Sequence, residues 1–202
     1  MKSIIAILFY FLIFTLPISA GDPDSTHVQR KWFVPDMIKS QFAGNIGFVS
    51  AGVGYYYAKN KMELDIMYGY VPESAGGKLH SLTLKNTWVP LRSVAVGKKL
   101  NFDLITAGIP LTYTFGNQFF TLPPRDKYPS NYYNHSTALR IGIFAGGRIN
   151  YEFGEGKTIH SAGLYYEVGT YDLLLHNYYF NVGSMPVNKL FNLALGIQLR
   201  LD

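Results

Sequence analysis

The sequence predicts an all-β chain: an eight-stranded antiparallel up-and-down transmembrane β-barrel behind a cleavable leader. Three observations point there. Apolar residues alternate with polar or small ones over several segments, the longest of them above the roughly 9 to 11 residues that a tilted strand needs to cross a bilayer. Aromatic residues (16%) and 20 glycines accompany only 15% charged residues, a mixture that suits tyrosine and phenylalanine girdles with small residues between them. After the leader, charges, Gly or Pro interrupt every apolar run well short of the about 20 residues of a membrane helix.

The leader comes first. Lys2, an apolar run from Ile4 to Leu16, then Pro17 and the ending Ile18-Ser19-Ala20 match a signal peptide over 1–20, with cleavage expected after Ala20. Export follows, and residues 21–202 form one outer-membrane barrel domain, with no linker or internal repeat to divide them. Cysteine is absent, which excludes disulfides, thiolate nucleophiles and thiolate metal sites. The net charge of +5 is spread along the chain. With export, that makes outer-membrane lipids such as lipopolysaccharide the expected partner and excludes nucleic acid. Either a monomer or a homodimer is compatible with this reading.

A first strand over 37–43 follows Pro35, which blocks a continuous helix there. In the second, Val49, Ala51, Val53, Tyr55 and Tyr57 oppose Ser50, Gly52, Gly54 and Tyr56. In the third, Met62, Leu64, Ile66, Tyr68 and Tyr70 oppose Glu63, Asp65, Met67 and Gly69. The fourth runs near 79–88. The fifth alternates from Ile105 to Phe115, with Pro110 removing a ladder donor and so requiring a local irregularity. The sixth sets Leu139, Ile141, Ile143, Ile149 and Tyr151 against Arg140, Gly142, Phe144, Arg148, Asn150 and Glu152. A seventh runs near 159–169, and the last alternates from Phe191 to Leu201.

Connections alternate in the way outer-membrane barrels require, with short periplasmic turns and longer outside loops. The second (58–61) and sixth (154–157) are short, while the fifth (116–136) and seventh (170–189) are the longest. The fourth, 90–100, is longer than a periplasmic turn should be.

With the apolar set facing lipid, the inward set holds Glu63, Asp65, Glu152 and Glu167 against Lys85, Arg140, Arg148 and Arg200. An eight-stranded interior is only wide enough for side chains, so these charges either form an ion-paired plug or line a narrow path for small solutes. Aromatic and histidine side chains crowd the two long outside loops, and Tyr132, Tyr133, His135, Tyr171, His176, Tyr178 and Tyr179 form a possible binding surface for lipid or glycan there. No His pair has metal-ligand spacing, no acidic run forms a calcium loop, and no metal or cofactor is expected.

The segment YGYVPESAGGKLHSLTLKNTWVP (68–90) resembles the third and fourth strands of the outer-membrane lipid A 3-O-deacylases, the PagL-type barrels: an aromatic strand end, an acidic and glycine-rich loop, then Lys78, His80, Ser81 and Leu82 opening the next strand. Residues 104–115 are similar to the strand that follows in that family. The resemblance implies an eight-stranded outer-membrane barrel. It also implies ester hydrolysis in the outer leaflet through a His-x-Ser pair near the outer end of the seventh strand, with a Glu on the last strand. This chain departs from that pattern: His160 and Ser161 are adjacent, and the last strand has no Glu, so no catalytic residue is assigned. The favoured expectation is a structural or binding barrel acting through its outside loops. A lipid-A-modifying hydrolase with a rearranged or degenerate site is the alternative, and a narrow passive channel is the third.

Overall fold

In the computed structural model the described residues are 33–92, 94–122, 124, 126, 136–154, 158–180 and 186–201. The leader 1–20 and the loop residues Tyr132, Tyr133 and His135 lie outside them. The strands are β1 (Met37–Ala43), β2 (Val49–Tyr57), β3 (Met62–Val71), β4 (Leu79–Trp88), β5 (Val94–Val96), β6 (Leu100–Phe115), β7 (Leu139–Glu152), β8 (Ile159–Tyr171) and β9 (Asn192–Leu201). An α-helix, α1 (Asp172–Phe180), and a 3-10 turn (Val187–Lys189) lie between β8 and β9.

Every pairing is antiparallel, and the first and last strands meet from Met37↔Arg200 to Ala43↔Ala194, which closes the sheet. Closure satisfies the backbone groups that an open sheet would leave on its edges. The barrel has eight strands because β4 pairs directly with β6, ending at Trp88↔Ala107. β5 takes up the same edge of β6 further toward its start, at Val94↔Phe102 to Val96↔Leu100. The fourth connection is therefore not an over-long turn but a small hairpin, reversed at Gly97, whose φ of +83° suits a residue without a Cβ.

Two further expectations need correction. The fifth barrel strand begins at Leu100 and not at Ile105, because a bulge between Asp103 and Thr106 breaks its alternation: Leu104 and Ile105 are both exposed while Asp103 and Thr106 are both buried. The seventh connection is not loop throughout, since Asp172 opens α1, its carboxylate accepting the Leu173 N–H at 2.8 Å, and three leucines, good helix formers, follow. Pro110 sits where β6 has no β7 partner between Gly108↔Phe144 and Leu111↔Ile141, so its missing N–H breaks no bond in that ladder.

The two faces of the sheet are chemically inverted relative to a water-soluble barrel. Leu164 is 65% exposed, and Ile38, Phe42, Ile66, Leu82, Ile143 and Leu195 also face outward. Inside, Lys39, Glu63, Asp65, Lys85, Arg148 and Gln198 are buried. Period-two alternation across a closed sheet produces this arrangement. The short β2–β3 and β7–β8 connections lie at one end, together with the β5–β6 hairpin. The end of β6, the start of β7 and α1 lie at the other, and α1 packs near β7 and β8.

Candidate functional site

The lumen is organised around Glu63. The alternation of β3 points its carboxylate inward, where it is 0% exposed. Arg148 of β7 grips it in a two-pronged pair at 2.9 and 3.0 Å, and Lys39 of β1 reaches it at 2.6 Å. Arg92, from the connection after β4, approaches at 2.7 Å with its guanidinium over the Tyr56 ring at 4.6 Å. Planar guanidinium against carboxylate gives the strongest of these contacts, and a ring face adds attraction for the cation.

Neighbouring acids extend the network. Asp65 takes Lys39 at 2.7 Å. Asp103 lies 3.4 Å from Arg148 and 3.7 Å from Arg200, and it accepts from Asn150 at 3.2 Å. A second pair, Lys85 with Glu167, closes at 2.7 and 3.0 Å nearer the loop end, its ammonium 5.0 Å from the Phe144 ring and 5.4 Å from that of Tyr165. Charges taken out of water are costly unless paired, and each of these has an opposite charge within 4 Å, although the Arg92 and Arg200 guanidinium groups keep buried nitrogens without a hydrogen bond. Mutual ion pairing on this scale fills the middle of the barrel.

Above the Lys85–Glu167 pair, at the loop end, a cavity of about 540 Å³ opens. Its wall is built from the β1–β2 hairpin, the ends of β3, β4, β6 and β9, and the first turn of α1. Most of its large side chains are apolar. Arg140 of β7 and Tyr171 of β8 are also on the wall, and Arg140 lies 3.8 Å from Asp172. A smaller void of about 20 Å³ continues down to Lys85 and Glu167.

Of the charged residues expected inside, Glu63, Asp65, Arg148 and Arg200 come together in one network, and Lys85 and Glu167 form the second. Glu152 and Arg140 join neither: Glu152 is at the turn end, accepting from Asn101, and Arg140 is at the mouth. Sequence reasoning missed Lys39, Arg92 and Asp103. The alternation of Lys39 and Gln41 with Ile38 and Phe42 was a usable signal, whereas the bulge hides Asp103 and no periodicity marks Arg92. Of the loop aromatics, Tyr171 lines the cavity. On α1, His176 stacks near Phe180 at 4.4 Å between ring centres, Tyr178 is half-buried and Tyr179 is exposed.

The histidines near strand ends do not sit beside a serine. His80 lies on the outer face with Tyr68, Oη to Nδ1 2.5 Å, while Ser81 points inward and donates to the Ile46 carbonyl at 2.7 Å. Ser161 is buried at the turn end, far along β8 from the loops. Among the described residues no three His, Asp or Glu side chains are grouped as metal ligands would be. Comparison with protein-family models, with curated proteins and with solved structures gives no match to this chain.

Proposed function

We propose that this chain is an outer-membrane barrel whose lumen is shut by its own ion pairs and whose work is done at the loop-bearing mouth, as a binding protein. The observation that carries the reading is the inverted sheet, apolar outside and ion-paired inside, with a cavity of about 540 Å³ at the loop end that leads down to Lys85 and Glu167. An apolar outer band suits lipid, a paired interior suits a closed pore, and a concave mouth of this volume falls in the range of small-molecule sites.

Two measurements test it. Refolded protein is expected to remain with liposomes through a urea wash and to run anomalously fast on a gel until heated; protein that washes off overturns the membrane reading. In planar bilayers the inserted barrel is expected to add no steady conductance above the bare membrane, and clear single-channel steps would overturn the shut lumen.

The likeness to lipid A deacylases is taken here as one of topology. Lipid A from cells carrying the folded, inserted chain is expected to have the same mass as in an empty-vector control. Loss of one acyl chain would replace the binding reading with a hydrolytic one.

A further inference from the structure

The mouth cavity has a composition that selects among ligands. Ile46, Phe48, Leu79, Leu173 and Leu174 give it an apolar wall. The polar groups around it are largely occupied with one another: Asn192 donates to Asn45 at 2.8 Å, Ser81 to the Ile46 carbonyl at 2.7 Å, and Thr112 bonds Thr83 at 2.8 Å. Arg140 is different. Its Nη1 is shielded from solvent and makes no hydrogen bond, and the nearest acid oxygen, Asp172 Oδ1 at 3.8 Å, is beyond hydrogen-bond distance and already accepts from Leu173. A buried guanidinium N–H without an acceptor is costly, so the site favours an anion that supplies one.

Arg140 is also the one charged side chain among the described residues that line this cavity. One cation in an apolar bowl, already partly balanced by Asp172 at 3.8 Å, suits at most a single negative charge carried on an apolar body; a dianionic phosphate would bring a surplus of negative charge. A planar carboxylate matches the guanidinium fork in both geometry and charge. Below, the void narrows to about 20 Å³ against the already paired Lys85 and Glu167, so a ligand enters and leaves by the mouth.

We propose that the mouth cavity binds a single-tailed carboxylate amphiphile, its headgroup on Arg140 and its chain against Ile46, Phe48, Leu79, Leu173 and Leu174. This deepens the reading of the chain as a membrane barrel acting at its mouth, and rests on it.

The test uses the full mature chain in lipid nanodiscs, with ¹³C-carboxyl dodecanoate as probe, empty nanodiscs as the partition baseline, and dodecanol and dodecyl phosphate as comparators. Saturable dodecanoate binding above the baseline is expected, with dodecanol and dodecyl phosphate both weaker. Arg140→Gln should weaken it about ten- to a hundredfold, the range for a hydrogen bond to a charged group, and Arg140→Lys should recover part of the loss. Leu174→Trp, which keeps the guanidinium and fills the bowl, should weaken it as well. Inserted protein without saturable binding, Arg140→Gln binding as tightly as the parent chain, or dodecyl phosphate binding more tightly than dodecanoate would each overturn the proposal. Heat-shifted gel mobility reports insertion separately, so a chain that never inserts overturns the barrel reading itself, whereas an inserted chain that does not bind overturns this inference alone.

Discussion

Replacing Glu63 by alanine is expected to destabilise the barrel by about 3 to 5 kcal/mol, the range for removing one partner of a buried ion pair. The size follows from what is left behind. Arg148, Lys39 and Arg92 all converge on this carboxylate. Without it, Asp65 and Asp103 remain as the nearby acids for those cations and for Arg200. Like charges in a narrow lumen where they are buried repel one another, and none of them can turn outward without crossing the sheet. Glu63→Gln keeps the shape and removes the charge, so it should lose nearly as much as alanine. A double replacement at the second pair, Lys85→Met with Glu167→Leu, removes both charges at once and should lie within about 2 kcal/mol of the parent chain. Urea unfolding in lipid vesicles, followed by tryptophan fluorescence, measures all three. A loss below about 1 kcal/mol for Glu63→Ala would show that the network is a passive filling and not the tie between β1, β3 and β7.

Gly146→Val is expected to prevent most of the chain from reaching the closed barrel, with a loss of about 3 kcal/mol or more, at or beyond the usual range for overpacking. Gly146 lies on β7 between Thr106 of β6 and Glu167 of β8. A Cβ placed there would stand 1.9 Å from the Tyr166 carbonyl oxygen. That neighbour is backbone in the ladder, so relief means moving a strand. The adjacent Gly147 is the control: its added Cβ would meet the Leu104 carbonyl oxygen and the Tyr166 ring at 3.2 Å. A few tenths of an ångström of adjustment suffices there, so Gly147→Ala should lose about 1 kcal/mol. The fraction of refolded protein that runs in the heat-sensitive compact form separates the two. Equal yields for both variants would mean that strands near Gly146 move apart more easily than their spacing implies.

Some of this was legible in the sequence because strand alternation is a local property. Period two assigns each side chain to a face as soon as a strand is recognised, and closure turns one face into an interior. That ground alone places Glu63, Asp65 and Arg148 inward, and the same pattern marks most of the eight barrel strands. The misses have local causes too. The bulge at 103–106 shifts the alternation by one residue and removed Asp103 from view. The β5–β6 hairpin offers three residues of strand, too few for a period. Asp172–Phe180 is apolar on most sides, so neither a strand nor an amphipathic helix stands out.

The sequence by itself determined most of the barrel strands and, outside the bulge at 103–106, the face that their residues take, since these depend on backbone geometry over two or three residues. Only the tertiary structure decided which charges meet. Glu63 and Arg148 are 85 residues apart, and Lys85 and Glu167 are 82 apart. Their encounter depends on register and closure, which set heights around the barrel and leave no trace in spacing along the chain. The mouth cavity has the same origin. Arg140 faces inward by alternation, but its Nη1 is left without a hydrogen bond where closure sets it, at the mouth and above the lumen charges that pair with one another.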